Sequence, residues 1–222
     1  MPYTVEIKAI TPVAQNVFSY DLEKPEGFSF EPGQATEVSI DKEGWRDKKR
    51  PFTFTALPDE DRLQFTIKSY HDHEGVTDQL SKLLVGDRLI IDDAWGTIRY
   101  KGKGVFIAGG AGVTPFIAIL RDLNRQSGHL ADHGLFFANR TERDIILHDE
   151  FETMPGLAVR HILSDEKKSE YDHGRIDKAY LQAHVDDFDQ HFYLCGPDQM
   201  VEDLKETLAD LGANADALVF EK

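Results

Sequence analysis

Residues 104–120, with the sequence GVFIAGGAGVTPFIAIL, constrain the fold of this chain more than any other stretch. The short apolar run at 105–107 is typical of a central strand in a parallel sheet. The glycine-rich turn at 109–112 lacks Cβ atoms, so the backbone can bend sharply there and another molecule can come close. Thr114 is expected to cap the helix that follows, with Pro115 at its first position. Such a helix N-terminus presents free amides that suit a pyrophosphate, although the G-x-G-x-x-P pattern also fits a plain strand–turn–helix.

The composition disfavours several classes of protein. The 222 residues carry 40 acidic and 25 basic side chains, and the formal net charge of −15 argues against nucleic acid or an anionic membrane as the main partner. The single cysteine, Cys195, rules out an intrachain disulfide and predicts a reducing compartment. The first residues do not resemble a signal peptide, and no apolar run reaches the roughly 20 residues of a membrane helix. We therefore expect a cytoplasmic protein.

Two sequence rhythms predict a β domain over 1–101 and an α/β domain over 102–222. Short alternating segments between turn signals in the first predict an antiparallel barrel or sandwich. Strands that alternate with helices in the second predict a parallel sheet with helices on both faces. The predicted strands cover 3–8, 17–22, 35–40, 51–56, 63–70, 87–92, 104–108, 134–139, 157–163, 190–195 and 216–220. The predicted helices cover 77–84, 113–126, 148–154, 177–184 and 198–211.

Residues 50–53, Arg-Pro-Phe-Thr, place a cation, an aromatic ring and a hydroxyl on one predicted strand. Arg50 can pair with phosphate oxygens, Phe52 can stack on a flat ring, and Thr53 can hydrogen-bond the edge of that ring. Taken alone, this segment is more simply a strand with a solvated arginine and a core phenylalanine. Residues 75–77, Gly-Val-Thr, open the helix of the β domain and form either an anion site or an ordinary threonine cap.

Residues 193–200, YLCGPDQM, predict a strand that ends at Cys195, a Gly-Pro turn and the start of a helix. Ligands of open α/β sheets bind at the carboxyl ends of the strands, so Cys195 is expected at the same edge as Gly110. A small buried thiol at the end of a strand is the alternative interpretation.

These four motifs, in this order and at this spacing, resemble the ferredoxin–NADP reductase superfamily over essentially the whole chain. The resemblance implies a six-stranded antiparallel flavin-binding β-barrel, followed by a parallel-sheet α/β domain that binds a nicotinamide nucleotide. It also implies FAD, less often FMN, as the flavin, and NADPH or NADH as the reductant. Hydride would pass from the nicotinamide to the flavin, and the protein would supply the alignment.

The resemblance also implies which residues form the site. On the flavin side these are Arg50 at the phosphates, Phe52 where the family usually has a stacking tyrosine, Thr53 near flavin N5, and Pro51, Ile67, Lys68, Ser69, Gly75, Val76 and Thr77. On the nucleotide side they are Gly110, Gly112, Thr114, Pro115, Cys195, Gly196, Pro197 and Met200. Thr53 and Cys195 are the implied catalytic residues, with Cys195 packing against the nicotinamide rather than acting as a nucleophile.

Three further points stay open in the sequence. Phe220 is expected either over the flavin or in the core of the sheet. Asn139 and Arg140 end the second α/β strand, where an arginine favours a 2′-phosphate; nearby acidic residues would weaken such a site, so both NADH and NADPH fit. No metal site is expected, because residues 71–74, HDHE, fit a solvated loop.

The leading interpretation is an NAD(P)H-dependent flavoprotein reductase that passes electrons to a separate acceptor. That acceptor would be a ferredoxin, a flavodoxin, an oxygenase component or a small molecule, because the sequence contains no C-x4-C-x2-C cluster. The acidity of the chain argues against docking to an acidic carrier by bulk charge. One alternative is a flavin reductase that uses flavin as a dissociable substrate. Another is an accessory electron-transfer subunit that binds flavin and nucleotide.

Overall fold

The computed structural model describes residues 2–72, 74–96 and 98–220. The chain divides into two compact units, Met1–Gly96 with Thr114–Asp122, and Thr97–Val113 with Leu123–Lys222. Each unit is built on one six-stranded sheet. The predicted boundary between residues 101 and 102 falls between the last strand of the first sheet and the first strand of the second, and it stays a prediction.

The first sheet is antiparallel and closes on itself. Its elements are β1 Tyr3–Ala14, β2 Val17–Glu23, β3 Ala35–Ile40, β4 Arg50–Thr53, β5 Arg62–Lys68, the short helix α1 Val76–Leu80 and β6 Arg88–Ile91. The strand order is β4-β3-β6-β1-β2-β5, so β4 and β5 are the two edges. An antiparallel bridge joins Phe54, directly after β4, to Phe65 in β5. The two edges therefore meet, and the sheet forms a small barrel.

Aromatic rings fill much of the barrel core. Phe30 stacks on Phe54 with ring centroids 4.4 Å apart, and Phe54 lies 5.1 Å from Phe65. In β1 the fully buried Val5 and Ile7 alternate with more exposed neighbours, as expected for a strand with one face in the core. The core of this unit therefore follows from the alternating pattern that predicted its strands.

The second sheet is entirely parallel. Its strands are β7 Gly104–Gly109, β8 His133–Asn139, β9 Ala158–Leu163, β10 Asp172–His173, β11 His191–Cys195 and β12 Leu218–Phe220. The helices that follow the first unit's α1 are α2 Thr114–Ser127, α3 His148–Glu152, α4 Lys178–His184 and α5 Asp198–Asp210. The strand order is β10-β9-β8-β7-β11-β12, so the order reverses between β7 and β11. In such sheets the crevice for a ligand opens at the carboxyl ends of the strands at this reversal.

Packing in the second unit explains why β7 reads as a continuous apolar run. All six residues of β7 are buried, which is typical of a strand covered on both faces. One face of the sheet packs against α4 and α5, where Leu181, Leu204 and Leu208 are at most 2% exposed. On another part of the sheet, the Tyr193 ring stacks on Phe106 with centroids 4.3 Å apart.

A buried polar network fastens the first half of α2 to the barrel strands within the first unit. Arg121 donates to the carbonyl oxygen of Thr55 at 2.6 Å and to Oε1 of Gln64 at 2.9 Å. The Thr55 hydroxyl lies 3.2 Å from that of Thr66, which lies 2.9 Å from that of Ser19. No sequence motif pointed to this network, because its members are up to 66 residues apart along the chain.

Some element limits differ from the sequence predictions. The predicted helix at 77–84 is α1, which ends at Leu80; beyond it Leu84 and Val85 are 72% and 61% exposed, so the apolar residues do not continue one buried face. The predicted strand at 51–56 ends at Thr53, because the chain leaves β3 there and bridges to β5. No helix in the described part of the chain combines the length and hydropathy that crossing a bilayer requires.

Candidate functional site

The Arg-Pro-Phe-Thr segment forms β4 on the barrel. It pairs antiparallel with β3, and Arg50 and Pro51 are exposed whereas Phe52 and Thr53 are half-buried. The Arg50 guanidinium donates to the backbone carbonyl of Lys49 at 2.7 Å and is open to solvent. The Phe52 ring packs against Phe65 with centroids 6.4 Å apart. The segment thus presents the Arg50 cation and the Thr53 hydroxyl at the surface, whereas the Phe52 ring packs partly in the core.

The end of β5 carries the next three predicted residues. Ile67 is 1% exposed and packs in the barrel core, which leaves it little surface for a ligand. Lys68 is half-buried at the last position of β5. Ser69 follows it, 3% exposed, and its backbone amide donates to the carbonyl of Asn16 at 2.7 Å.

Residues 75–77 start α1, but not as a threonine cap. Gly75 is the N-cap residue, with an extended backbone and no side-chain cap hydrogen bond, and Thr77 lies inside the helix. The Thr77 hydroxyl accepts from the amide of Tyr70 at 3.4 Å, and Val76 is 4% exposed. The threonine is one residue too far along to cap, because Val76 already has helical backbone. His73, in the loop before α1, lies outside the described residues.

The glycine turn of the second unit packs directly on the loop after β11. A Cβ added to Gly112 would lie 2.3 Å from the carbonyl oxygen of Cys195, and one added to Gly109 would lie 2.6 Å from Sδ of Met200. A Cβ on Gly196 would lie 3.1 Å from Cα of Gly109. Because β7 and β11 are neighbouring parallel strands, their carboxyl ends bring these loops into backbone contact. Glycine is needed here for close packing of the two loops.

At Gly110, glycine is favoured by the backbone conformation and not by close packing. Its φ of +52° lies in the left-handed region, and an added Cβ would meet nothing within 4 Å. It begins a short 3-10 helix at Gly110–Val113, which runs directly into α2. The N-cap of α2 is Val113 with helical backbone angles, so the prediction that Thr114 caps this helix is wrong. Pro115 lies in its first turn, as predicted.

A cleft of about 630 Å³ opens beside Cys195 in the second unit. It is lined by Leu194, Cys195, Gly196, Asp198, Val201, Glu202, Lys205 and Phe220. Phe220 sits in β12, paired with Leu194, and Nζ of Lys205 lies 4.3 Å from the centre of its ring. Cys195 is half-buried, Pro197 is exposed, and Met200 is half-buried with its sulfur toward Gly109. The structure thus groups Phe220 with the predicted nicotinamide residues.

The end of β8 carries Asn139 and Arg140 in an acidic setting. Asn139 is 7% exposed, whereas the Arg140 side chain is 80% exposed and its Nε lies 2.7 Å from Oδ2 of Asp165. Hydrogen bonds from Ser164 and then Arg140 hold the pKa of the Asp165 carboxyl below its usual range. Asp144 closes a capping box with Thr141 in the same segment. Arg140, predicted from the sequence as the residue that favours a 2′-phosphate, therefore already has an acidic partner.

Buried polar atoms without partners test whether these residues suit the groups that the sequence implied. In the described part of the chain, Oγ of Ser69 and both side-chain polar atoms of Asn139 are buried and make no hydrogen bond. Buried polar groups in native proteins almost always have a partner, from the protein, water or a ligand. Ser69 lies in the predicted flavin segment and Asn139 in the predicted nucleotide segment. The residues present therefore fit a polar ligand in each unit.

Comparison with known proteins finds a domain match and a shared fold. Residues 106–206 match the family model of the oxidoreductase NAD-binding domain. The fold matches that of a ferredoxin NADP+ reductase from Neisseria gonorrhoeae with bound FAD and NADP, with a TM-score of 0.85 at 17% identity, covering 99% of this chain and 98% of that one. The fold is therefore the ferredoxin reductase-like fold, and part of the second unit resembles the oxidoreductase NAD-binding domain. The fold class and the family resemblance predicted from the sequence are thereby confirmed.

Sequence relatives are reductases of several systems. The chain is 26% identical over 214 residues to the plasma membrane-associated coenzyme Q6 reductase PGA3 of Saccharomyces cerevisiae, covering 89% of this chain and 67% of that protein. It is 25% identical over 228 residues to the carnitine monooxygenase reductase subunit of Escherichia coli, covering 99% of this chain and 68% of that protein. The chain spans 62% or less of six further relatives. That the chain is an oxidoreductase, as predicted, is confirmed.

Proposed function

We propose that this protein is an NADH-dependent flavoprotein reductase that binds FAD on its barrel and delivers electrons to a separate acceptor. When bound, the nicotinamide supplies a hydride, and the flavin accepts it and can release the electrons one at a time. The chain's own residues then bind and orient the two groups. A cytoplasmic location is part of this proposal and rests on the single cysteine.

The observation that carries the proposal is the position of the glycine turn and of the loop after β11. Both lie at the carboxyl ends of neighbouring strands, β7 and β11, where the strand order reverses. Gly110 keeps open space above its backbone, and the half-buried Cys195 lines the adjacent cleft. We assign the pyrophosphate to the turn and the nicotinamide to the cleft. Cys195 then packs against the nicotinamide ring and holds no proton in the reaction.

For the flavin, the proposal relies on β4 and on the segment after β5. The exposed Arg50 guanidinium provides a charged donor for phosphate oxygens. Thr53 offers a hydroxyl to the edge of the flavin ring, and the orphaned Oγ of Ser69 gains a partner. The change from the family's usual tyrosine to Phe52 keeps an aromatic face and removes one hydroxyl. Hydrogen bonding at the ring edge would therefore depend on Thr53.

The preference for NADH rests on the surroundings of Arg140. Its guanidinium pairs with Asp165, and the acidic Glu142, Asp144 and Glu166 lie in the two neighbouring loop segments. Because Lys168 already pairs with Glu142 and Glu166, the carboxylates that a 2′-phosphate would meet are those of Asp165 and Asp144, whereas the 2′-hydroxyl of NADH carries no charge. We therefore expect a lower KM for NADH than for NADPH.

The proposed acceptor is an oxygenase component. Among the relatives, the Escherichia coli protein is a monooxygenase reductase subunit, and the Rhodococcus jostii protein is the reductase component of propane 2-monooxygenase. The chain spans only part of each relative. The oxygenase acceptor is therefore inferred from similarity to these relatives and not from the surface of this protein.

The visible spectrum of the purified protein, followed by anaerobic titration with NADH and separately with NADPH, tests the proposal. Flavin absorption that NADH bleaches at lower concentration than NADPH supports all of it. A colourless protein that reduces added flavin would instead make flavin a dissociable substrate. Bound flavin that neither nucleotide bleaches would refute hydride transfer and leave an accessory subunit.

Arg50→Ala tests the flavin assignment, with Arg46→Ala as the matched control. Both arginines are exposed, but Arg46 pairs with Asp41 at 2.7 Å outside the proposed site. We expect Arg50→Ala to be purified with less flavin per chain, and Arg46→Ala with the same amount as the parent protein. Equal flavin content in all three proteins would show that the phosphates bind elsewhere.

A further inference from the structure

Three side chains of metal-ligating type meet on the second unit, outside the proposed flavin and nucleotide segments. His148 and Glu152 lie on α3, and His161 lies on β9. One donor atom from each of the three lies within 4.8 Å of the other two. No sequence motif marks this cluster, because eight residues lie between Glu152 and His161.

The local fold explains why these residues meet. Positions 148 and 152 are one turn apart on a helix, so their side chains share a face. The buried Phe151 anchors α3 against Phe137 of β8, with ring centroids 6.3 Å apart at an angle of 89°. His161 lies on β9, the neighbouring strand, and its ring is 5.9 Å from the same Phe137. Packing on one phenylalanine therefore brings the helix face and the strand histidine together.

His161 is the most unusual member, because it is 4% exposed and neither ring nitrogen makes a hydrogen bond in the described part of the chain. Nε2 of His161 lies 3.1 Å from Oε1 of Glu152, but the angles do not suit a hydrogen bond. A buried imidazole whose nitrogens lack partners is unusual in a native protein, and a bound metal ion would supply a partner.

His148 completes the pair of imidazoles. Its ring stacks on that of His161 with centroids 4.9 Å apart. Its two nitrogens lie 2.8 Å from Oδ1 of Asp149 and 3.2 Å from the hydroxyl of Tyr171. To bind a metal, one nitrogen has to exchange its present partner for the ion, while the other keeps an oriented partner, as is usual for a ligating histidine.

We propose that His148, Glu152 and His161 bind one divalent transition-metal ion, Zn²⁺ by preference. Two imidazole nitrogens and one carboxylate oxygen are a ligand set that Zn²⁺ uses in proteins, with a remaining position for water. A bound metal ion would be the missing partner of a His161 ring nitrogen. The neighbouring Glu152 carboxylate would be a ligand of the same ion. Glu152 is half exposed, so an ion can reach the site from solvent. This departs from the sequence expectation of no metal site.

The test uses untagged, flavin-loaded protein, stripped with a chelator and titrated with Zn²⁺ by calorimetry at pH 7. The matched pair of variants is Glu152→Gln and Glu150→Gln, which remove the same charge from the same helix. We expect about one Zn²⁺ per chain in the parent protein and in Glu150→Gln. Glu152→Gln should bind at least about tenfold more weakly, since even the loss of an outer-shell partner costs that much.

His148→Gln provides a second test at a partly exposed position, whose side chain is 35% exposed. It should weaken Zn²⁺ binding as Glu152→Gln does, and Zn²⁺ should raise the Tm of the parent protein but not of these two variants. The proposal is overturned if the parent protein binds no Zn²⁺, or if Glu150→Gln weakens binding as much as Glu152→Gln. Neither readout depends on reductase activity, so the outcome is separate from that of the proposed function.

Discussion

Replacing Gly112 by alanine tests the contact between the two loops at the carboxyl edge of the parallel sheet. The added Cβ would lie 2.3 Å from the carbonyl oxygen of Cys195 and 2.6 Å from Cα of Gly196. Both neighbours are backbone atoms, so no side-chain rotation can relieve the clash. The Gly110→Ala variant is the matched control, because its Cβ would meet nothing within 4 Å.

The expected magnitudes follow from these distances. Ordinary contact begins at 3.4 Å, so the Gly112 Cβ and the Cys195 oxygen must move apart by 3.4 − 2.3 = 1.1 Å. Overpacking of this kind costs about 1–3 kcal/mol, and because both contacting groups are backbone we expect a cost of about 3 kcal/mol. Gly110→Ala should lower the free energy of unfolding by about 1 kcal/mol, the cost of alanine in the left-handed backbone region. For a chain of this size these values lower Tm by roughly 6–12 °C and roughly 2–4 °C.

Thermal unfolding of both variants, each loaded with flavin and monitored by circular dichroism, measures the difference. Because the clash displaces Cys195 and Gly196, we also expect a higher KM for NADH in Gly112→Ala than in the parent protein. Equal Tm values for the two variants, or a larger loss in Gly110→Ala, would refute the argument that loop contact requires glycine at position 112.

Three further substitutions have defined outcomes. Thr53→Ala should slow flavin reduction by NADH in stopped-flow measurements while leaving Tm and flavin content unchanged; an unchanged rate would remove Thr53 from the site. Arg121→Met removes a charged donor from the buried Thr55 carbonyl and should cost about 2 kcal/mol, a fall in Tm of roughly 4–8 °C. Burial raises the pKa of Tyr20 from 10.0 to about 12, so only the unfolded state loses this proton between those pH values, and stability falls as pH rises. Urea unfolding should show that Tyr20→Phe lacks this alkaline loss of about 3 kcal/mol.

The fold could be predicted from the sequence because local patterns and tertiary packing agree along most of the chain. Strand β11 was predicted at 190–195 and runs over His191–Cys195, and helix α5 was predicted at 198–211 and runs over Asp198–Asp210. Both segments have a strong apolar pattern and are separated by Gly196-Pro197, which neither a helix nor a strand continues through. By contrast, β10 at Asp172–His173 has two residues and no pattern to read.

Features that depend on distant partners could not be predicted. Arg121 is an ordinary charged helix residue in the sequence, and its role appears only when Thr55, 66 residues earlier, lies beside it. His161 gives a faint signal, because it stands at the start of the buried half of β9. A buried histidine in a strand indicates only that its nitrogens need partners, and the sequence does not identify Glu152 and His148 as neighbours.

The glycine motif illustrates how one pattern can carry two kinds of information. Sequence reasoning assigned Gly110 and Gly112 alike to a bound pyrophosphate, yet only Gly110 leaves open space above the backbone. Gly112, like Gly109, is required by the neighbouring loop after β11, whatever ligand binds. The spacing of this motif therefore predicts which strands are neighbours more directly than it predicts which nucleotide is bound. We therefore expect the choice between NADH and NADPH to depend on Arg140, because the two nucleotides differ there in charge and not in backbone shape.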